Sequence, residues 1–229
     1  MYIKFWGVRG SIPSGNPETV KVGGNTTCVE IRCGEELIVI DTGTGFRNLG
    51  MALMKEFPIK GTILYSHMHW DHIQGFPFFT PFFVPGNEFR VFGGTSLPTT
   101  VEDVLKQQMA PPCCPVEVDL FCAKISYHDV KPGEVIESEN YKVTFAPLYH
   151  PNGCYAYRVD HEGQSLVFAT DCEHYEDKPN KNLIELCQDA DVLIYDAQYT
   201  EDEYYGLNGE FSRKGWGHST MQEGVKLAK

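Results

Sequence analysis

The chain of 229 residues alternates between apolar runs of strand length and stretches with helical spacing. Stretches rich in apolar residues at 2–6, 28–33 and 37–40 predict an opening set of antiparallel strands, and a stretch at 62–66 predicts a short buried strand. Within 46–56, apolar residues recur every three or four positions, which is typical of a helix with one buried face. The first part of the chain therefore predicts a sheet, a helix and a further strand.

The rest of the chain continues this alternation of strands and helices. The predicted elements, in chain order, are a strand at 89–92, a helix capped at Thr100 and Asp103 that runs through Met109, four or more strands between 123 and 169, a helix at 183–187, a strand at 192–195, and a last helix opened by a capping box at Thr220 and Glu223. This order predicts the α/β (α+β) class, with two mixed β-sheets packed face to face and helices outside. We expect a single domain over 1–229.

The segment 75–86 is unusual because it combines five phenylalanines with three prolines. Prolines at this density exclude a helix and a central strand. One interpretation is a loop that buries its rings in the core or in the contact of a homodimer. The other is that Phe76, Phe78 and Phe79 form the aromatic wall of a substrate pocket, on which a base or another flat group stacks.

Composition and charge narrow the class of protein. With 42% hydrophobic residues the chain can bury one sizeable core, and no apolar run is long enough to span a bilayer. The 8 cysteines are scattered and the start lacks a signal-peptide pattern, which indicates a cytoplasmic protein with reduced thiols and no membrane partner. The net charge of −12 argues against a large nucleic-acid surface, but it leaves room for a short anion at a locally positive site.

Candidate chemistry is concentrated in the histidine motif His67-Met68-His69-Trp70-Asp71-His72. Imidazole and carboxylate are ligands that borderline transition metals prefer. The first two histidines share one side of the frayed end of the strand at 62–66, and Asp71 with His72 opens a short turn of helix. The four groups can therefore converge on one pocket, and they exceed what a single ion takes from one loop.

Three further candidates lie downstream, each at the edge of a predicted element that can aim a side chain. His150 sits in a turn-like loop after a strand, Asp171 ends the apolar run 165–170, and His218 precedes the last helix. Each of them alone would more often be an ordinary polar residue. Together with the histidine motif, they indicate two metal ions per chain.

In this order, the motifs resemble the metallo-β-lactamase fold superfamily of metal-dependent hydrolases. The resemblance extends over nearly the whole chain. The matching segments are 5–11, 23–27, Asp41-Thr42-Gly43, the histidine motif, His150, Asp171 and His218. The resemblance implies a four-layer αββα sandwich with the metal site at one rim. Because relatives usually continue into another strand where this sequence stops, we expect a chain truncated at its C-terminal end.

The resemblance also implies a ligand set for two divalent metals. The first metal would be held by His67, His69 and His150, and the second by Asp71, His72 and His218. Asp171 would bridge the two ions, and Asp41 would lie beneath the site and orient the metal-binding loop. Zinc is the ion that we expect first, while manganese and iron suit the same ligands.

Within the superfamily, the chain is most similar to the branch of ribonuclease Z and phosphodiesterases. The likeness rests on the opening loop 7–10 with the following 25–27, and on 194–199 followed by His218-Ser219-Thr220. The tRNA-processing enzymes carry His-Glu-Ala-Thr where this chain has Tyr195-Asp196-Ala197-Gln198, and no insertion resembles their tRNA-gripping arm. We therefore expect tRNA 3′ processing to be weak or absent.

These features predict a dinuclear hydrolase in which a metal-bridging hydroxide attacks a small phosphodiester, such as a cyclic or short nucleotide. Asp71 is the expected proton acceptor, and His218 with Tyr195 or Asp196 is the expected region of the proton donor. A thioester or lactone hydrolase on the same metals and ribonuclease Z-like tRNA 3′ processing are the alternatives. A redox di-iron centre is disfavoured because such relatives carry Glu at the position of His69, and a non-catalytic scaffold is disfavoured because such relatives lose ligands.

Overall fold

The structure is a computed structural model that describes residues 1–131, 133–175 and 178–229. The chain separates into two compact units, Met1–Val130 and Lys131–Lys229. Each unit contains one β-sheet and its own helices. The single domain over 1–229 stays a prediction.

The sheet of the first unit is built from the strands that the apolar runs predict. In chain order, which is also their order in the sheet, these are β1 (Tyr2–Gly7), β2 (Cys28–Cys33), β3 (Glu36–Ile40), β4 (Lys60–Leu64), β5 (Glu88–Gly93) and β6 (Lys124–Asp129). β1, β2 and β3 pair antiparallel, whereas β3 to β6 pair parallel, so the sheet is mixed. The strand predicted at 62–66 starts and stops two residues early, because its pairing with β3 runs from Gly61 to Leu64.

Three α-helices belong to the described part of the first unit: α1 (Gly45–Leu53), α2 (Trp70–Ile73) and α3 (Val101–Gln108). α1 ends three residues before the predicted boundary at 56, ahead of Pro58, whose ring disfavours helical geometry in the preceding residue. α3 begins as predicted, with the Thr100 side chain accepting the Asp103 N–H at 3.1 Å.

The second unit also carries a mixed sheet, with the spatial order β11-β10-β9-β8-β7. Its strands are β7 (Ile136–Glu137), β8 (Lys142–Leu148), β9 (Cys154–His161), β10 (Gln164–Ala169) and β11 (Val192–Tyr195), and its helices are α4 (Lys181–Cys187), α5 (Glu201–Tyr205) and α6 (Met221–Leu227). β10 and β11 pair parallel, and the other neighbours pair antiparallel. The strands β6 to β10 confirm the prediction of four or more strands between 123 and 169.

The capping box predicted at Thr220 and Glu223 is wrong. Thr220 stands at the start of α6, but its side chain makes no capping hydrogen bond. Glu223 pairs instead with Lys226, which draws the carboxylate away from the helix start. A capping box does open α5, which the sequence did not predict, between Thr200 and Glu203.

The phenylalanine-rich segment is a packed part of the first unit's core. It forms two 3₁₀ turns, Phe76–Phe78 and Thr80–Phe83, each with a proline in the first turn, where a missing N–H is tolerated. The prolines therefore exclude a longer helix but not these short turns.

Two of the three phenylalanines predicted for a substrate pocket are core residues. Phe76 and Phe79 are fully buried, and the Phe79 ring stacks on Phe46 of α1 with 3.8 Å between ring centroids. Their assignment to a pocket wall is wrong, because rings that fill a core cannot also face a ligand. Phe78 is 63% exposed, and its part in a pocket stays a prediction.

All 8 cysteines are free thiols, including the neighbours Cys113 and Cys114, which would bridge only with strain. None of the helices in the described residues has both the length and the apolar character needed to cross a bilayer.

Replacing Phe79 by alanine should lower the free energy of unfolding by about 3–5 kcal/mol, because a ring stacked in the core leaves a cavity. Phe78→Ala is the matched control at the neighbouring position, and its exposed ring should contribute no more than about 0.5 kcal/mol. Chemical denaturation followed by circular dichroism measures both. Equal losses in the two variants would contradict the division between core and surface.

Candidate metal centre

The histidine motif begins just beyond the end of β4. Because β3 and β4 run parallel, the residues that follow them leave the sheet at the same edge, which brings Asp41 next to Ser66. The fully buried Asp41 carboxylate accepts the Ser66 N–H at 2.8 Å with Oδ1 and the Ser66 hydroxyl at 2.8 Å with Oδ2. Asp41 therefore fixes the point where the motif starts.

Asp41 also orients His72. Nδ1 of His72 donates to Oδ2 of Asp41 at 2.8 Å. This tautomer leaves the lone pair on Nε2, which is the atom that can bind a metal. Burial raises the pKa of Asp41, and the interactions with His72 and Ser66 offset part of that rise.

The side chains of the motif lie beside one another in the first unit. The His67 ring centroid is 4.4 Å from that of His69 and 4.0 Å from that of His72. Oδ2 of Asp71 lies 3.5 Å from Nε2 of His72 and accepts the Ser11 N–H at 2.7 Å. All four candidate ligands of the motif are thus neighbours.

The turn Asp41-Thr42-Gly43 holds α2 at the edge of the sheet. The Thr42 N–H donates to the His72 carbonyl at 2.8 Å, and the Gly75 N–H donates to the Thr42 carbonyl at 2.7 Å. A Cβ at Gly75 would lie 2.1 Å from the Gly43 carbonyl oxygen, so that this approach requires glycine. The backbone itself therefore sets the position of Asp71 and His72.

His150, Asp171 and His218 form a second group, within the second unit. One ligand atom from each lies within 4.8 Å of the others. His150 follows β8, Asp171 follows β10, and His218 precedes α6. Nδ1 of His150 donates to the Gly217 carbonyl at 2.7 Å, which leaves Nε2 as its metal-binding atom.

Asp196, directly after β11, holds this second group in place. Its buried carboxylate accepts Nδ1–H of His218 at 2.9 Å and the Asp171 N–H at 2.9 Å. Two further backbone N–H groups bond the other carboxylate oxygen at 3.0 Å each. Asp196 therefore fixes both the tautomer of His218 and the path of the chain at Asp171.

A proton donor in the region of His218 with Tyr195 or Asp196 stays a prediction, and the structure gives the hydrogen bonds of the last two residues. The Asp196 carboxylate accepts hydrogen bonds on both oxygens. The Tyr195 hydroxyl donates to Ser219 Oγ at 3.2 Å, its ring packs against Gly224 of α6, and burial raises its pKa well above the usual range. The role of Asp196 had a signal in the sequence, since it follows a buried strand directly, as Asp41 does.

Both groups fit a divalent transition ion. Imidazole nitrogen and carboxylate oxygen suit zinc, manganese and iron alike. His72, His150 and His218 each have a hydrogen-bond acceptor behind Nδ1, the arrangement that fixes metal-binding histidines. The donor chemistry therefore supports metal binding in each unit.

Comparison with protein families gives one match over most of the chain. The model described as "Beta-lactamase superfamily domain" matches residues 36–229. Among curated proteins, the ribonuclease Z of Methanothermobacter thermautotrophicus is 29% identical over 66% of this chain and 45% of its own length. The ribonuclease Z of Methanococcus aeolicus is 27% identical over 69% of this chain and 46% of its own length. The chain thus spans about half the length of these relatives, and its sequence is similar to ribonucleases Z, the branch that the motifs resemble.

Solved structures confirm the predicted fold class. The metallo-beta-lactamase fold protein YhfI from Bacillus subtilis superposes with a TM-score of 0.70 at 19% identity, covering 99% of this chain and 80% of that one. The short form of human tRNase Z gives 0.67 at 18% identity, with 99% and 87% covered. A diphosphatase from the PhnP family gives 0.67 at 21% identity, with 99% and 81% covered.

Replacing Asp41 by asparagine should lower the affinity for Zn²⁺ about 10- to 100-fold. The amide would donate to Nδ1 of His72 and force the ring proton onto Nε2, which removes the metal-binding lone pair. Calorimetric titration of metal-stripped protein measures the affinity. Asp160→Asn, at a partly exposed carboxylate paired with Arg158 at 2.9 Å, is the control and should bind as the wild type does. An Asp41→Asn protein with unchanged affinity would show that His72 is oriented by something else.

Proposed function

Since the chain belongs to the beta-lactamase superfamily, we propose that it is a metal-dependent hydrolase that acts on small phosphodiesters. The observation that carries the proposal is the orientation of three histidines, His72, His150 and His218, by acceptors at Nδ1. Burying a carboxylate lowers the free energy of unfolding unless the charge is well bonded. A carboxylate buried behind an imidazole is therefore better explained by metal binding, for which it orients the ring, than by folding alone.

We propose that seven residues hold two divalent ions. They are His67, His69 and His150 for the first ion, Asp71, His72 and His218 for the second, and Asp171 as the bridge. When bound, such ions polarise a phosphoryl oxygen and activate water at neutral pH. Zinc as the resident metal, a homodimer and a cytoplasmic location stay predictions.

The chain's own residues would orient and receive protons around this centre. Asp71 is the proposed proton acceptor, and its Oδ2 is held by the Ser11 N–H at 2.7 Å, which keeps it at the ligand position. Tyr195 or Asp196, near His218, is the proposed region of the proton donor, and Asp41 and Asp196 also have an orienting role. They would keep the ring protons of His72 and His218 on Nδ1.

Phosphorus is the preferred reaction centre because the named relatives and neighbours include ribonucleases Z and a diphosphatase. The net charge of −12 favours a compact anion as the substrate. A compact anion would contact only the positive charge of the bound ions, whereas a long polyanion would also meet the acidic surface and be repelled by it. Cyclic or short nucleotides meet both conditions.

Two other functions use the same groups. The names of the relatives favour tRNA 3′ processing. The acidic net charge argues against it, and so does Tyr195, which stands at the position of the catalytic histidine. A thioester or lactone hydrolase would place a carbonyl at the same ions, and the ligand residues alone do not separate the two reactions.

The purified protein should bind two divalent ions per chain, because two groups of three ligands and one shared carboxylate exceed the need of one ion. Elemental analysis at saturating zinc measures the stoichiometry. Asp171→Ala should weaken both sites, whereas His150→Ala should mainly empty the first. One ion or none in the wild type would refute the dinuclear centre.

The zinc-loaded protein should hydrolyse bis-p-nitrophenyl phosphate and short nucleotide diesters, and His69→Ala and Asp71→Ala should lose nearly all of this activity. Precursor tRNA should be cleaved far more slowly, and a panel of lactones and thioesters should be inert. Rates measured side by side decide between the three functions. Rapid turnover of carbonyl esters with every phosphodiester inert would overturn the substrate class while leaving the metal site intact.

A further inference from the structure

Glu173 is a buried carboxylate in the second unit that the proposed function does not use. It lies two residues after Asp171 and is only 4% exposed. Oε1 accepts the Gly215 N–H at 2.6 Å and the Tyr204 hydroxyl at 3.0 Å. Oε2 accepts the Gly217 N–H at 2.9 Å and the Tyr175 hydroxyl at 3.3 Å. Both ends of the segment Gly215-Trp216-Gly217 are therefore bonded to one side chain.

The same segment carries the groups that orient two proposed metal ligands. Gly217 has a φ of 84°, and its carbonyl accepts Nδ1–H of His150 at 2.7 Å. A Cβ at Gly217 would lie 2.4 Å from Nδ1 of His150, so the backbone approaches the ring as closely as glycine allows. His218 is the next residue in the chain. A displacement of Gly217 would thus act on the ring of His150 and on the start of His218.

We propose that Glu173 is a positioning residue for the metal site. By bonding Gly215 and Gly217, it holds the Gly217 carbonyl against His150 and keeps the ring proton of His150 on Nδ1. It also sets the position of His218, the next residue in the chain. This inference rests on the proposed function, because it assigns His150 and His218 to metal binding.

A carboxylate is needed for this role because both of its oxygens face backbone N–H groups. The hydroxyls of Tyr204 and Tyr175 can rotate to accept a hydrogen bond, but the N–H groups of Gly215 and Gly217 cannot. In a Glu173→Gln protein, the amide NH₂ must therefore oppose one of these two N–H groups whichever way it turns. The loop would have to move away from the side chain, and Gly217 would move with it.

The first test reads the tautomer of His150 in the metal-free protein by long-range ¹H–¹⁵N NMR. We expect the Nδ1–H form in the wild type and a mixture of both tautomers in Glu173→Gln. Tyr204→Phe is the matched control, since it removes a hydroxyl from the same carboxylate but keeps both backbone bonds. It should keep the Nδ1–H form even if it is less stable.

The second test titrates the same three proteins with Co²⁺ and records the visible absorption of the bound ion. Glu173→Gln should bind at least about 10-fold more weakly, with an altered spectrum, whereas Tyr204→Phe should match the wild type. A folded Glu173→Gln protein with the wild-type tautomer, spectrum and affinity would overturn the proposal. If Glu173→Gln does not fold, Glu173→Asp takes its place. That side chain is one methylene too short to bond both glycines, and wild-type values in it would overturn the proposal equally.

The two tests separate this inference from the proposed function. A wild-type protein that binds no Co²⁺ would sink the proposed function, and the NMR measurement would still report whether Glu173 sets the tautomer of His150. Normal Co²⁺ binding in the wild type with no difference between the variants would leave the hydrolase standing and remove Glu173 from its support.

Discussion

The candidate site depends on hydrogen bonds to the Nδ1 atoms of its histidines. An imidazole binds a metal through Nε2 only when its proton is on the other nitrogen. Asp41 provides the acceptor for His72, and Asp196 provides it for His218. Each unit therefore buries a carboxylate with a second, structural role, since the same carboxylate also accepts backbone N–H groups that fix the loop. In each unit, one carboxylate sets both the orientation of the histidine ring and the path of the backbone, so that neither can change without the other.

Backbone strain lies at the same points. Asp41 and Asp171 both follow strands and both adopt left-handed backbone conformations, with φ of 60° and 58°. For a residue other than glycine this conformation costs about 1–2 kcal/mol, although aspartate tolerates it better than most residues. It persists because the surroundings determine it. The Asp41 N–H donates to the Leu64 carbonyl at 2.9 Å, and the Asp171 N–H donates to Asp196 at 2.9 Å. The left-handed conformation thus occurs where hydrogen bonds hold the chain as it leaves each strand.

Sequence patterns predicted the elements whose signal is local. β2 and β11 have the predicted bounds, because β2 alternates apolar and polar residues after Val29 and β11 is an apolar run of strand length. The short helix α2 was predicted from the histidine motif. The sequence did not predict which of several possible partners a side chain bonds. Thr200 and Thr220 both precede Glu by three residues, yet only Thr200 caps a helix, because Lys226 takes the carboxylate of Glu223. Glu173 had no signal, since its partners at Gly215 and Gly217 lie more than forty positions away.

The phenylalanine-rich segment shows how a core contributes to a site that it does not touch. The turn Asp41-Thr42-Gly43 leads directly into α1, whose Phe46 stacks on Phe79. α2 leads through Gly75 into Phe76, which lies in the same buried cluster. Both segments that carry the first unit's site are therefore tied at one end to a single aromatic core and to each other by backbone hydrogen bonds. Metal ligands must be held to within a fraction of an ångström, and large rings with few rotamers supply that rigidity better than flexible side chains. Support of the ligand loop thus explains the buried rings of the segment, such as Phe76 and Phe79.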